Sequence, residues 1–503
     1  MIVRSLLRWL ARSLLALLTA LLLVGIAFYG HFLWSGPELK PWHRDRLSAE
    51  FTAADYERGT VTTLHQYLAR EQQVLDQVSS EVYRPVGDPD WHLLNRYSAG
   101  SRSDPGVWDT NWNRTFVLEP SGPPVGGVLL LHGLTDSPYS LRSIGLALAA
   151  RGLRVIGLRL PGHGTTPAGL VTFEVEDLEA ATRLAMSDLR AGLDAGLPLY
   201  VAGYSNGAAL AVSYALDARE DATLPRPAGL VLISPAIGIT RLAAIGRIRT
   251  GLSDLQGFGR AAWQVIEAEV DPYKYQSFSF HAAGQTQRLT SRLTRRIDRL
   301  AREGPLQGVP PILAFVSTVD STVRAGAVVD ALLGRLAPGG HELVLFDVNR
   351  LAAVQPMLVA DPAPLTRRLL AQANRPFALS LVTNANARTL QVKEHRVPAQ
   401  GTQASEQLIG LAWPQNVFSL SHVALPFPPD DPLYGYAAAR SSTHVQLGSI
   451  EVRGENGVLN VPGWMLTRQR SNPFHRYLVG RIEQFVGPAA EAAGPGQPLQ
   501  DSP

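Results

Sequence analysis

Between Val125 and Gly238 the chain alternates short apolar runs with segments of helical period, and few architectures accept that pattern. VGGVLLLHG (125–133), LRVIGLRL (153–160), LPLYVAG (197–203) and AGLVLISPAIG (228–238) read as strands. PYSLRSIGLALAARG (138–152), DLEAATRLAMSDLRAGL (177–193) and NGAALAVSYALDA (206–218) read as the helices between them. These strands are apolar throughout rather than alternating, which fits burial on both faces of a parallel sheet. Strand, helix and strand at this spacing imply right-handed crossovers. The expectation is therefore an α/β fold, with a mostly parallel central sheet and helices on both faces.

The alternation stops at Ile239 and resumes at PPILAFVS (310–317), followed by HELVLFDV (341–348). Residues 239–309 are expected to form a helical cap insertion over the carboxyl ends of the strands. A second insertion spans about 350–415 and holds possible strands FALSLVTN (377–384) and TLQVKEHRV (389–397). FHRYLVGRIEQFVG (474–487) reads as a closing helix of a main domain covering 113–488. Upstream, 35–112 is a linker and helical extension, with two helices broken near Gly59 within 46–85. NRTFVLEP (113–120) alternates like a strand. The tail 489–503 is small, polar and rich in Pro and Gly, hence expected to be disordered.

Composition narrows the function classes. None of the 503 residues is cysteine, which excludes disulfides, thiolate catalysis and Cys-ligated zinc. A formal net charge of +3 argues against nucleic acid as the main partner. The Arg-rich run TSRLTRRIDRLAR (290–302) spaces its apolar residues at helical intervals and reads as a solvated helix face. At the N-terminus, Arg4, Arg8 and Arg12 precede the charge-free stretch Ser13–Trp34. That stretch is long enough to cross a hydrocarbon core of about 30 Å. The arginines would hold the N-terminus in the cytoplasm, so the expectation is a single-pass anchor in a bacterial inner membrane with the main domain outside. A cleaved signal peptide is the rival reading.

The chemistry centres on VAGYSNGAAL (201–210). A serine hydroxyl attacks carbonyls only when a held base takes its proton. A strand, a sharp turn with flanking glycines, and a helix present such an oxygen above the sheet. Ser205 stands in that setting, between Gly203 and Gly207. The backbone amide of Asn206 and that of Leu134, in the loop after LLLHG, are the expected oxyanion donors. His132 and His163 read as structural residues that pack their loops.

LLLHGLTDSPYS, LRLPGHGTTP, VAGYSNGAAL and LVLISPAIG, in this order, resemble the α/β-hydrolase superfamily. Within it they most resemble the monoacylglycerol lipase, lysophospholipase and serine aminopeptidase group. The resemblance covers about 113–350 and 416–488. It implies that the triad acid follows the strand after the cap, where Asp320 sits in ILAFVSTVDSTV, with Asp347 the weaker rival. His341, His395, His422, His444 and His475 all follow Asp320. His422, after a strand-like run and before a Pro-rich loop, matches the family's histidine, with His444 as its rival. The gap from Asp320 to His422 is long for this group, and the 350–415 insertion accounts for it if it folds outside the sheet.

The function so implied is a membrane-anchored serine hydrolase acting on carboxylic esters, lipid-like ones included, through Ser205, Asp320 and His422. No cofactor or metal is expected. The cap aromatics Trp263, Tyr273, Tyr275, Phe278 and Phe280 are expected to line the acyl site. Acyl transfer and peptide cleavage by the same triad, or a non-catalytic tethered binding module, are the alternatives.

Overall fold

A computed structural model describes residues 2–35, 37–84, 91–238, 259–359, 361–448, 453–455, 457–459 and 467–487. Ten strands form one sheet: β1 (Phe116–Leu118), β2 (Gly126–Leu131), β3 (Leu153–Leu158), β4 (Leu199–Tyr204), β5 (Gly229–Ile233), β6 (Ile312–Ser317), β7 (His341–Phe346), β8 (Phe377–Asn384), β9 (Gln391–Val397) and β10 (Ser405–Ala412). They lie in the order β1-β3-β2-β4-β5-β6-β7-β8-β9-β10. From β3 to β8 all neighbours are parallel, while β1, β9 and β10 run antiparallel at the two edges. The described helices are α1 (Ile2–Ser35), α2 (Pro41–Arg44), α3 (Ala53–Glu57), α4 (Leu64–Gln77), α5 (Arg142–Ala150), α6 (Val175–Ala191), α7 (Asn206–Glu220), α8 (Phe280–Leu300), α9 (Ala325–Ala331), α10 (Ala363–Ala371) and α11 (His475–Val486).

The continuous hydrophobicity of the central strands follows from their two-fold periodicity. In β2, Val128 and Leu130 pack on one face with Ile144 and Leu148 of α5 and with Leu478 and Ile482 of α11. Leu129 and Leu131 pack on the other, with Leu184 of α6, Leu210 of α7 and Leu293 of α8. Each strand residue thus meets a helix on its own side, and each such side chain contributes about 1.5–3 kcal/mol by burial.

The extension before the sheet is docked through a buried charge cluster. Arg159, at the end of β3, is fully buried, with Nη2 2.7 Å from Glu50 and Nε 3.2 Å from Glu71 of α4. Burial would raise the Glu50 carboxyl, but the Arg159 charge and hydrogen bonds hold it below its ordinary value. The two extension helices do flank Gly59, whose φ of +74° lets the chain reverse between α3 and α4.

Three expectations change. The 350–415 segment does not fold outside the sheet. Its strands β8 and β9, together with β10, extend the sheet beyond β7, with Leu379 paired to Leu343 and Leu381 to Leu345. The reason is local: Phe377, Leu379 and Leu381 give FALSLVTN one apolar face, Ala378 and Val382 lie on the other, where the Ser380 hydroxyl donates to Glu342 of β7, and the strand is buried along nearly its whole length. The Arg-rich face of α8 is not simply solvated, since Arg288 pairs with Glu176, Arg292 with Glu179 and Arg296 with Asp217 and Glu220 on α6 and α7.

In the cap, Trp263, Tyr273 and Tyr275 are buried in packing contacts. Tyr273 stacks on Tyr139 at 4.2 Å, and the Tyr275 hydroxyl accepts the Thr165 N–H at 2.7 Å. These three rings are therefore scaffold. Phe278 and Phe280 are half-buried.

For the expected span Ser13–Trp34, α1 is a continuous helix whose described leucines are exposed. Among the described residues, however, no helix is long and apolar enough to cross a membrane. Several side chains of that span, Ile26, Phe28 and Tyr29 among them, lie outside the described residues, as do the first part of the cap (239–258) and the tail.

Candidate active site

The serine sits at a turn that only this sequence context permits. Ser205, between β4 and α7, has φ 54° and ψ −114°, a conformation that strains any residue with a Cβ. Its neighbours compensate by being glycine. A Cβ on Gly203 would lie 2.5 Å from the Ala208 Cα, and one on Gly207 would lie 2.5 Å from the His132 oxygen and press into that of Leu131. The elbow is thus packed directly against the end of β2. Ser205 is pinned further by its N–H, which donates to Ile233 at 2.9 Å, and by its C=O, which accepts from Ala236 and Ala208.

Around that oxygen the structure brings together residues far apart in the chain. His422 Nε2 lies 2.9 Å from Ser205 Oγ, and His422 Nδ1 lies 2.8 Å from Asp320 Oδ2. A carboxylate can only accept, so Nδ1 carries the proton and Nε2 is left to accept from the serine hydroxyl. Asp320 and His422 are both buried, whereas Ser205 is half-exposed. The second Asp320 oxygen accepts the Thr322 and Val323 amides at 2.8 Å each. Burial pushes the Asp320 carboxyl up, but the His422 charge, the hydrogen bond to it and the two amides outweigh burial and hold it below the ordinary aspartate value.

The rivals lie elsewhere. Asp347 is occupied by Arg350 at 2.8 Å and by Thr383. His444 stacks on Trp108 at 4.3 Å. His341 accepts the Ile312 N–H, His395 pairs with Glu406, and His475 lies 3.1 Å from the Pro426 oxygen. His132 is buried, with Nε2 accepting the Leu160 N–H at 3.0 Å. Burial pushes its pKa well down, and His163 follows to about 4, so both are neutral loop-packing residues.

Asn206 opens α7 directly after Ser205 and Leu134 lies in the loop after β2, and among the described residues neither backbone N–H has a backbone acceptor outside the helices and strands. The loop carrying Leu134 is held by the cap: Tyr275 N–H donates to the Thr135 oxygen at 2.8 Å, and Lys274 Nζ lies 2.9 Å from Asp136. Thr135 itself has a φ of +67°. This clamp had no signature in the sequence, because DPYKYQ and GLTDSP lie far apart and neither is unusual alone. Glu455 was missed for the same reason: it accepts the His422 backbone N–H at 3.2 Å from a segment with no motif. No group of three or more His, Asp or Glu able to hold a metal is found among the described residues.

The model of a family described as "Serine aminopeptidase, S33" matches residues 122–347, the stretch from β2 through β7. That segment is an α/β-hydrolase of the serine aminopeptidase and monoacylglycerol lipase-like group. The hydrolase is 28% identical over 246 residues to a thermostable monoacylglycerol lipase of Bacillus sp. (strain H-257), covering 46% of this chain and 87% of that protein. Among solved structures, it is similar to a monoacylglycerol lipase of Paleococcus ferrophilus, with 19% identity, a TM-score of 0.35, and 46% and 88% of the two chains covered. It is also similar to a soluble variant of monoglyceride lipase from Saccharomyces cerevisiae, with 15% identity, a TM-score of 0.36, and 46% and 82% covered. Strands β8–β10 and the N-terminal extension lie outside the matched segment.

Proposed function

We propose that this hydrolase cleaves carboxylic esters of acyl chains, using Ser205 as nucleophile. The observation that carries the reading is the continuous relay from Asp320 through His422 to Ser205, with its tautomer set by the carboxylate. In the first step His422 Nε2 takes the Ser205 proton as Oγ attacks the ester carbonyl. The amides of Asn206 and Leu134 receive the oxyanion. Asp320 holds the resulting imidazolium, which returns its proton to the departing alcohol. Water, activated by the same histidine, then releases the acid and restores Ser205. The similarity to the monoacylglycerol lipase of Bacillus sp. supports acyl esters of glycerol-like alcohols as the substrate class.

A fluorophosphonate probe tests the nucleophile. Wild type labels and Ser205→Ala does not; equal labelling of both, or of neither, defeats the reading. A p-nitrophenyl ester series of increasing chain length then reads the acyl preference.

The matched family's description favours peptide cleavage as the second reading, and aminoacyl p-nitroanilides decide between them. We place the domain outside the cytoplasm, tethered through the N-terminal segment. That placement is supported by the charge-free stretch Ser13–Trp34 and the exposed leucines of α1. Carbonate washing of membranes separates a tether from loose association, and a full chain found entirely in the soluble fraction defeats it.

A further inference from the structure

Asp320 and His422 stand on loops 102 positions apart, with four strands of the sheet, β7 to β10, between them in the chain. One side chain touches both loops. Glu455 is 1% exposed. Its Oε2 accepts the backbone N–H of His422 at 3.2 Å, and its Oε1 accepts the hydroxyl of Ser321, the residue after Asp320, at 3.0 Å. Its own N–H donates to Ser419 at 2.7 Å, three positions before His422. Arg468, one-third exposed, places Nε 3.2 Å from Oε1 and balances the charge toward solvent.

A buried carboxylate with both oxygens engaged is a rigid reference point, because leaving either unpartnered costs free energy. Here that reference point is shared by the acid loop and the base loop. The main chain of His422 is fixed by Glu455 while its ring is fixed by Asp320, so the imidazole has two separate constraints. Hydrogen-bonded geometry of this kind decides whether Nε2 meets Ser205 Oγ, and misplacement by about 1 Å costs on the order of 100-fold in rate.

We propose that Glu455 is a positioning residue for this relay, locking the His422 turn to the Asp320 loop. The proposal rests on the catalytic reading of Ser205, His422 and Asp320. Glutamine in its place keeps one oxygen for the His422 N–H and offers its amide to the Ser321 hydroxyl, which can turn to accept. Alanine keeps neither.

The test uses the full chain with Glu455→Ala, Glu455→Gln and Ser321→Ala, measuring kcat, KM, fluorophosphonate labelling rate and Tm. The expected result is a kcat lower by about 10- to 100-fold in Glu455→Ala, with KM within about two-fold. Glu455→Gln recovers most of that loss. Wild-type kcat in Glu455→Ala overturns the proposal, as does equal impairment of the alanine and glutamine variants. If Glu455→Ala fails to fold, Ser321→Ala decides: kcat lower at unchanged Tm supports the proposal, and unchanged kcat overturns it. Failure of the underlying catalytic reading shows separately, as a wild type that does not label or a Ser205→Ala variant that does.

Discussion

Ser205 is presented by its own neighbours in the chain, whereas His422 is held by residues brought from three distant segments. The serine's strand, elbow and helix occupy Leu199–Glu220 without interruption, and the two glycines press the turn against β2. The histidine sits in a short turn whose ring depends on Asp320, whose amide depends on Glu455, and whose ring stands 5.4 Å from that of Tyr204. Local construction tolerates insertions elsewhere, because the strand, turn and helix that present the serine are one uninterrupted segment, braced only by the neighbouring strands β2 and β5. Distant construction absorbs an insertion only if some other contact restores the reach, and here the chain returns from the sheet edge through Trp413, buried edge-on against Phe474 at 4.8 Å. The difference teaches that the nucleophile side is a property of a short segment, and the base side a property of the whole sheet.

The largest effects test the two ends of the relay together. Ser205→Ala and His422→Ala should each lower kcat/KM for an ester by about 10⁴-fold or more, and the double variant should be little worse than either, since the two act as a unit. Additive losses would mean that they do not.

Gly207→Ala probes the local side. Its new methyl has no room beside Leu131 and His132, so the protein should be strongly destabilised, by several kcal/mol on the order of an overpacked core, and should not label. Gly480→Ala, in α11 with nothing within 4 Å of the new Cβ, should instead raise stability by about 0.5–1 kcal/mol. Chemical denaturation reads both, and a stable Gly207→Ala would break the account of the elbow.

Trp413→Ala probes the distant side. It should cost about 3–5 kcal/mol by urea unfolding, as removal of a large buried aromatic does. At temperatures where the variant stays folded, kcat should fall while KM holds, because the return path to His422 loosens. Loss of stability with unchanged kcat would show that the extension does not position the base.

The smallest expected effect depends on pH. His475 ties α11 to Pro426, and burial lowers its pKa from 6.5 to about 4. Between those values the unfolded chain binds a proton that the folded chain does not, so stability falls as pH drops through this window. At pH 4 the contribution reaches at most about 3 kcal/mol. Glutamine at 475 removes it, so the Tm gap between wild type and His475→Gln should narrow as pH falls from 6.5 to 4. A constant gap would assign the acid sensitivity to other groups.

Much of this molecule is legible in the chain itself. The parallel sheet follows from continuous apolar runs at crossover spacing, because a strand buried on both faces has no polar positions to show. The elbow follows from glycines whose absent Cβ atoms allow close approach within a few residues. The likeness of whole segments to known hydrolases pointed to Asp320 and His422. The tertiary structure alone decided that β8–β10 lengthen the sheet, that the cap's Lys274 and Tyr275 clamp the Leu134 loop, and that Glu455 reaches the histidine. Those contacts join residues dozens to hundreds of positions apart. Each depends on three-dimensional proximity between stretches that are individually ordinary, and no periodicity or spacing along the chain records it.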